Sequence, residues 1–314
     1  MRRVVCAEFG GPLSVVEEPT PEPGPGEVLV EVEAAGVSFV DGLIAAGRYQ
    51  VRPPLPFTPG SAVAGRVVAG PSTGTAVVGL MMGFGGYASH VVLPAASVAP
   101  LPGGVSPQIA VAAVESYSTL VFAVTQRVTI GVGEWVVVLG AGGGIGLAAV
   151  DVARSLGGRV LAVASSREKR DAALAAGAET AIDYTDLKDG IRAATGGGAD
   201  VVIDPVGGPA AESSLRALNA GGRFCVLGFA SGEIPRLPAN IVLLRNRAVV
   251  GVDWGDWARA DADAAVALLA DVLGRIGCGE LHPAQPRTFP LADAEKVLQL
   301  FADRAVTGKI ALLP

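Results

Sequence analysis

The stretch 135–150, WVVVLGAGGGIGLAAV, limits what this chain can fold into more than any other part of it. A valine-rich apolar run reads as a buried strand. It is followed by Gly140, Ala141, Gly142, Gly143 and Gly144, which permit a tight turn, and then by Ile145, Gly146 and an alanine-rich helical segment. The stretch carries no charge, yet it falls short of the ~20 residues of a membrane-spanning helix and is broken by glycine. A strand, a turn and a helix in that order place exposed N–H groups at a helix start, where a phosphate is attracted. Against the dinucleotide fingerprint G-x-G-x-x-G the chain offers Ala141, Gly143 and Gly146. A purely structural glycine turn is the other reading.

The residues beyond this stretch support a doubly wound sheet. Apolar strands alternate with helical segments: 159–165 with 167–177, 180–184, 201–208 with 210–219, then 224–230 and 248–255. Residues 1–115 differ, with short apolar segments punctuated by Gly, Pro and Ser, as in PTPEPGPGE at 19–27, and this predicts a small, mostly β domain. A nucleotide-binding domain over 116–281 and a return segment over 282–314 complete the expected organisation. The overall expectation is an α/β chain.

The second strand of the nucleotide domain bears on cofactor choice. An NAD site ends this strand with a carboxylate for the ribose hydroxyl; here it runs into Ser165, Ser166, Arg167, Glu168, Lys169 and Arg170. Serine donors and cations suit a 2'-phosphate and predict NADPH, with Ser166 or Lys169 preferred over Arg170 as the contact. An N-cap followed by a solvated helical turn is the alternative.

Composition removes other classes. With 50% hydrophobic residues the chain is no disordered tail, and 24 basic against 30 acidic residues give a net charge of -6, which gives no support to a nucleic-acid or anionic-membrane reading and leaves room for a local basic pocket that binds a small anion. The three cysteines, Cys6, Cys225 and Cys278, are far apart and give neither a disulfide framework nor a paired metal site. No export signal is read at the N-terminus, and a reducing, cytoplasmic setting is expected.

Several motifs, PPLPFTPGSAVAGRVV (53–68), GFGGYASHVVLP (83–94), VLGAGGGIGLAAV (138–150), VVIDPVGG (201–208), VLGFASGEIPRLPAN (226–240), VVGVDWG (249–255) and TGKIALLP (307–314), resemble the zinc-independent quinone oxidoreductase branch, related to zeta-crystallin, of the medium-chain dehydrogenase/reductase superfamily. The resemblance covers nearly the whole chain. It implies a GroES-like β domain interrupted by a Rossmann-type domain, with the cofactor in the cleft between them. It also implies a homodimer that extends the central sheet through 248–255. Carried onto this sequence, it makes Thr119 of YSTL a nicotinamide-side contact, with Tyr117 and Ser118 shaping a loop, and it places Tyr184 near the adenosine phosphate. Val206, Gly207, Gly228, Phe229 and Ala230 would lie along the dinucleotide.

Zinc-dependent members of that superfamily place Cys where this chain has Ser38, and His-Glu where it has Ser61 and Ala62. Neither His90 nor His282 replaces them, so no metal is expected. The expected reaction is hydride transfer from NADPH to a quinone or an α,β-unsaturated carbonyl, with Ser38 and Tyr49 as hydrogen-bond donors to the carbonyl oxygen and Asp41 either catalytic or orienting its loop. Reduction of an enone, alkenal or enoyl thioester is the alternative chemistry. A catalytically weak NADPH-binding structural or RNA-interacting protein is the alternative class. Family relatives commonly carry Asn, Glu and an aromatic residue where this chain has Ser38, Ala62 and Asp253, which bears on substrate geometry.

Overall fold

The structure, a computed structural model, describes residues 1–81 and 84–314. The stretch 72–86 is shorter and less charged than its counterpart in the family the chain resembles, which predicts a trimmed surface loop or an apolar edge; it lies partly outside the described residues, at Met82 and Gly83. In chain order the elements are β1 (Arg2–Cys6), β2 (Leu13–Glu17), β3 (Glu27–Val37), α1 (Phe39–Ala45), β4 (Ala62–Ala69), β5 (Ala76–Leu80), β6 (His90–Pro94), β7 (Val98–Pro100), α2 (Pro107–Phe122), β8 (Trp135–Leu139), α3 (Gly144–Ser155), β9 (Arg159–Val163), α4 (Arg167–Ala175), β10 (Thr180–Ile182), α5 (Leu187–Thr195), β11 (Ala199–Asp204), α6 (Pro209–Ala217), β12 (Leu218–Val226), α7 (Ala239–Leu243), β13 (Ala248–Gly251), α8 (Trp254–Ala260), α9 (Ala262–Gly277), β14 (Arg287–Pro290), α10 (Ala294–Ala302) and β15 (Ile310–Leu313).

These elements form two compact units. Met1–Glu115, Gly255–Gly279 and Ala284–Pro314 make the first; Ser116–Trp254 and Glu280–Pro283 make the second.

In the second unit six strands pair in the order β10-β9-β8-β11-β12-β13, every pair parallel. With β8 taken as first, this is the doubly wound order 3-2-1-4-5-6, whose reversal point falls between β8 and β11. Strand β8 is apolar along its whole length because helices cover both faces of the sheet: all of it is buried, from Trp135 to Leu139. Helix α5 was not anticipated. It is short and contains Gly190, but Leu187 and Ile191 bury against the sheet beside Leu161 and Leu215, each contributing roughly 1.5–3 kcal/mol. The strand expected over 248–255 ends at Gly251, and Trp254 already begins a helix.

The first unit is built on a seven-stranded sheet in the order β14-β15-β3-β4-β5-β7, with β6 also pairing β3. The alternating burial of β3, with Val28, Val30 and Val32 inside and Glu31 and Glu33 outside, is what a sheet with one covered face requires. The segment 255–279, expected with the nucleotide half, packs here instead. Leu269 and Leu273 of α9 enter a cluster with Ala34, Ala64, Val78 and Val114. Amphipathicity marks which face of α9 is buried but not which sheet receives it. Pro107–Arg127 is long and apolar enough for a membrane span, but 67% of its most apolar window is buried inside the protein, as in a core helix.

Candidate functional site

At the C-terminal end of β8 the backbone turns through Gly140, whose φ of +62° favours glycine. Gly143 is the N-cap of α3 and supplies no side chain to cover the first-turn N–H groups of Gly144, Ile145 and Gly146. A Cβ on Gly146 would stand 2.2 Å from the Gly140 carbonyl oxygen and 2.6 Å from the Ala141 Cα, so only glycine lets the turn fold onto the helix. The Ala141 N–H donates to the Val163 carbonyl of β9 at 3.0 Å, which ties the turn to the neighbouring strand. The result is an uncovered helix start at the reversal point of the sheet, the arrangement that holds a dinucleotide pyrophosphate.

Two further sequence candidates gather at this turn. The Gly140 N–H donates to the Tyr184 hydroxyl oxygen at 2.9 Å, so Tyr184 supports the turn from β10. Burial raises its pKa. Lys169 lies across Gly142, where a Cβ would be 2.4 Å from its own Cβ, so the lysine stem runs over the turn. Ser165, Ser166 and Arg167 are exposed. Ser166 caps α4 and accepts the Lys169 N–H at 3.2 Å, and Arg167 pairs with Asp171 at 3.7 Å. Arg170, ranked behind Ser166 and Lys169 as a contact, is half-buried and donates to the Ala164 carbonyl at 3.1 Å. No carboxylate stands at the end of β9 itself.

The loops after β11 and β12 are laced together. Asp204 accepts N–H donation from Val206 at 2.7 Å and Gly207 at 2.8 Å through Oδ1. Its Oδ2 is buried with no hydrogen-bond partner among the described residues, and burial raises its pKa. Val206 in turn backs the phosphate turn, since a Cβ on Gly140 would be 2.8 Å from its Cγ2. Ala230 donates to the Pro205 carbonyl at 3.1 Å. A Cβ on Gly207 would meet the Phe229 ring at 3.0 Å, so Gly228, Phe229 and Ala230 do reach the Val206–Gly207 turn. Asp204 escaped notice in the sequence, although a lone carboxylate closing an apolar strand is a visible signal.

Thr119 is half-exposed on α2. Tyr117 and Ser118 lie in the same helix and shape no loop: the Tyr117 hydroxyl donates to Asp151 Oδ2 at 2.9 Å, and Ser118 is fully buried. Asp151, 1% exposed, also accepts from Arg154 at 3.1 Å and from the His282 N–H at 2.5 Å. It therefore anchors Glu280–Pro283 to α3 within the second unit.

In the first unit, Ser38 and Asp41 form a reciprocal capping box on α1. The Ser38 N–H donates to Asp41 Oδ2 at 2.8 Å, and the Asp41 N–H donates to Ser38 Oγ at 3.3 Å. The hydroxyl proton of Ser38 finds no acceptor among the described residues. The Tyr87 hydroxyl, absent from the sequence expectations, also donates to Asp41 Oδ2, at 2.9 Å. Asp41 is 2% exposed, so it orients the α1 turn from within. Burial pushes its pKa up to about 7, assisted by the charge of Glu115 and opposed by the Ser38 N–H, the Tyr87 hydroxyl and Lys309. The half-buried Tyr49 packs its ring on the cluster of Cys6, Ile44 and Phe57.

The residues where a zinc ion would sit do not suit one. Ser38 is a helix cap, Ala62 lies within β4, and no three His, Cys, Asp or Glu side chains converge among the described residues.

Residues 24–103 match the alcohol dehydrogenase GroES-like domain family, and residues 144–271 match the zinc-binding dehydrogenase family. The chain is 37% identical over 322 residues to quinone oxidoreductase-like protein 2 of Bos taurus, covering 99% of this chain and 92% of that one. Among solved structures, the quinone oxidoreductase of Thermus thermophilus, studied with its NADPH complex, superposes with a TM-score of 0.87 at 37% identity over 100% of both chains. The NADPH complex of Escherichia coli quinone oxidoreductase does so with a TM-score of 0.89 at 27% identity, again over 100% of both. The chain belongs to the quinone oxidoreductase branch of the medium-chain dehydrogenase/reductase superfamily.

Proposed function

We propose that this chain binds NADPH and reduces a quinone or a related electron-poor carbonyl compound without a metal ion. The observation that carries the reading is the uncovered start of α3 at the reversal point of the sheet, flanked by a second strand that ends in serines and cations. NADPH, when bound, supplies a hydride from its nicotinamide C4.

The chain's own residues do the rest. The first-turn N–H groups of α3 hold the pyrophosphate, while Ser165, Ser166, Arg167 and Lys169 take the 2'-phosphate, with lysine acting as a point charge. Thr119, Tyr184, Val206, Gly207, Gly228, Phe229 and Ala230 bound the remainder of the dinucleotide. Ser38 donates its uncommitted hydroxyl hydrogen to the acceptor's carbonyl oxygen as that oxygen gains negative charge. Tyr49 is the second donor, and solvent completes the protonation.

The free edge of β13, with Val249 39% exposed and Leu243 and Leu244 nearby at 77% and 59%, supports a dimer in which the sheet continues into a second copy. The three cysteines, all unpaired, support a reducing, cytoplasmic setting.

The test is NADPH and NADH oxidation by chelator-treated protein across quinones, short enals and enoyl-CoA compounds. Rapid turnover of a quinone with NADPH favoured over NADH is the expected outcome. Turnover confined to enals or thioesters would replace the acceptor class, and cofactor binding with no turnover would remove the reductase reading. A solution mass equal to one chain at all concentrations would remove the dimer.

A further inference from the structure

Tyr87 is held on every side within the first unit. Its N–H donates to the Pro59 carbonyl at 2.9 Å, and its own carbonyl accepts the Val4 N–H at 2.9 Å. Gly60 lies so close under its ring that a Cβ there would be 2.3 Å from Cδ1. The side chain is fully buried, and its hydroxyl reaches the one oxygen of Asp41 that also accepts the Ser38 N–H. A residue fixed this firmly determines where its hydroxyl points, and it points at the capping box that holds Ser38.

We propose that Tyr87 is a positioning residue for the reaction: through Asp41 it holds the Ser38 turn in the arrangement that leaves the Ser38 hydroxyl proton free for the acceptor oxygen. This rests on the reading of Ser38 as a donor. Asp41 does not touch the acceptor, and neither does Tyr87. What they supply is a fixed, ionised carboxylate on which the Ser38 backbone is anchored.

The remaining charged groups that face Asp41 are Glu115 of α2, which disfavours its ionisation, and Lys309, just ahead of β15, which favours it. Lys309 lies 3.6 Å from Glu115 and partly cancels its effect. With the carboxyl poised at about 7, the Tyr87 hydroxyl is one of few groups keeping it ionised at neutral pH. Removing that hydroxyl withdraws a donor to the charged form and moves the titration upward.

The test is the pH profile of the single-turnover rate of NADPH oxidation with a saturating quinone, in the wild-type protein, Tyr87→Phe, Ser38→Ala and the double variant. Phenylalanine keeps the ring against Gly60, so folding is preserved, and the melting temperature verifies it. The wild-type rate is expected to fall below a midpoint near neutrality. In Tyr87→Phe that midpoint should move up by about one pH unit, with the KM for NADPH unchanged and the rate recovering in alkali. In the Ser38→Ala background, Tyr87→Phe should have no further effect.

An unshifted midpoint, or an equal loss in both backgrounds, overturns the role of Tyr87. A lower rate at every pH with an unmoved midpoint marks a structural residue only and overturns it too. A Ser38→Ala variant with the wild-type rate overturns the donor reading itself, and this role with it, a failure distinguishable because it appears in the variant that leaves Tyr87 intact.

Discussion

Helices α3 and α1 begin at the two candidate sites with opposite caps. At α3 the cap is Gly143, which has no side chain, so the first-turn N–H groups are left to a ligand. At α1 the cap is Ser38, and the capping box with Asp41 occupies both the serine oxygen and the backbone donor. An open helix start attracts an anion. A closed one releases only what the box does not use, here a hydroxyl proton. The first site is therefore built from backbone and the absence of side chains, the second from side chains held by one another.

The largest effect should come from closing the open start. In Gly146→Ala the methyl group meets backbone atoms that have no room to move, with the Gly140 oxygen at 2.2 Å. NADPH affinity is expected to fall by more than about a hundredfold, with a stability loss of roughly 1–3 kcal/mol, read by fluorescence titration and thermal melting. Wild-type affinity in this variant would mean that the open start of α3 does not hold the cofactor. Gly143→Ser fills that start with a cap instead. Its backbone, at φ −86° and ψ 172°, suits a serine cap. This variant should gain a few tenths of a kcal/mol of helix stability while weakening NADPH, because serine then competes for the same N–H groups.

Next comes the serine that already caps α1. Ser38→Ala should slow single-turnover hydride transfer by about a hundredfold, the scale of losing one donor to a developing oxyanion, and leave NADPH affinity unchanged. Loss of the cap should also lower stability by about 1 kcal/mol. Ser38→Thr, which keeps both hydroxyl and cap, should recover most of each. A smaller effect is expected at Lys169, beside the open start of α3. Lys169→Ala should raise the KM for NADPH about tenfold and that for NADH little, since a single charge-assisted contact is at stake. Equal weakening of both cofactors would transfer its role to packing on Gly142.

The two sites were unequally legible in the sequence. The α3 start was visible because its chemistry is local: strand, glycines and helix follow one another over a short stretch, and Gly146 is demanded by contacts within it. The α1 start was half visible. Ser38 and Asp41 stand three residues apart, the capping-box spacing, but the Tyr87 hydroxyl comes from a residue 46 positions away and only the folded β domain brings it there. The Asp151–His282 contact, 131 positions apart, was hidden for the same reason. The destination of α9 was hidden too, because an apolar helical face records that it is buried and not by what. Helix α5 hid behind Gly190 and a left-handed residue at its start, Asp186 with φ 43°, features that local propensity counts against a helix.

The smallest expected effect concerns the price of the closed cap. Asp41 titrates from an ordinary value of 3.8 in the unfolded chain and about 7 in the folded one, because burial disfavours its charge. Between those values the native state keeps a proton that the unfolded state releases. This carboxyl therefore makes stability fall as pH rises from about 4 to about 7, and its contribution levels off above. Asp41→Asn has no proton to lose and can still accept the Ser38 N–H. Its stability should fall less across that window, changing the wild-type-minus-variant difference by about 0.8 kcal/mol between pH 6.5 and pH 8 in denaturant titrations. A constant difference would mean that Asp41 is not the titrating group. Stability thus favours the protonated carboxyl while the proposed positioning of Ser38 requires the ionised one, so the asparagine variant should also lose the acid limb of the rate profile. At α3 no such conflict arises, because glycine has no charge to bury.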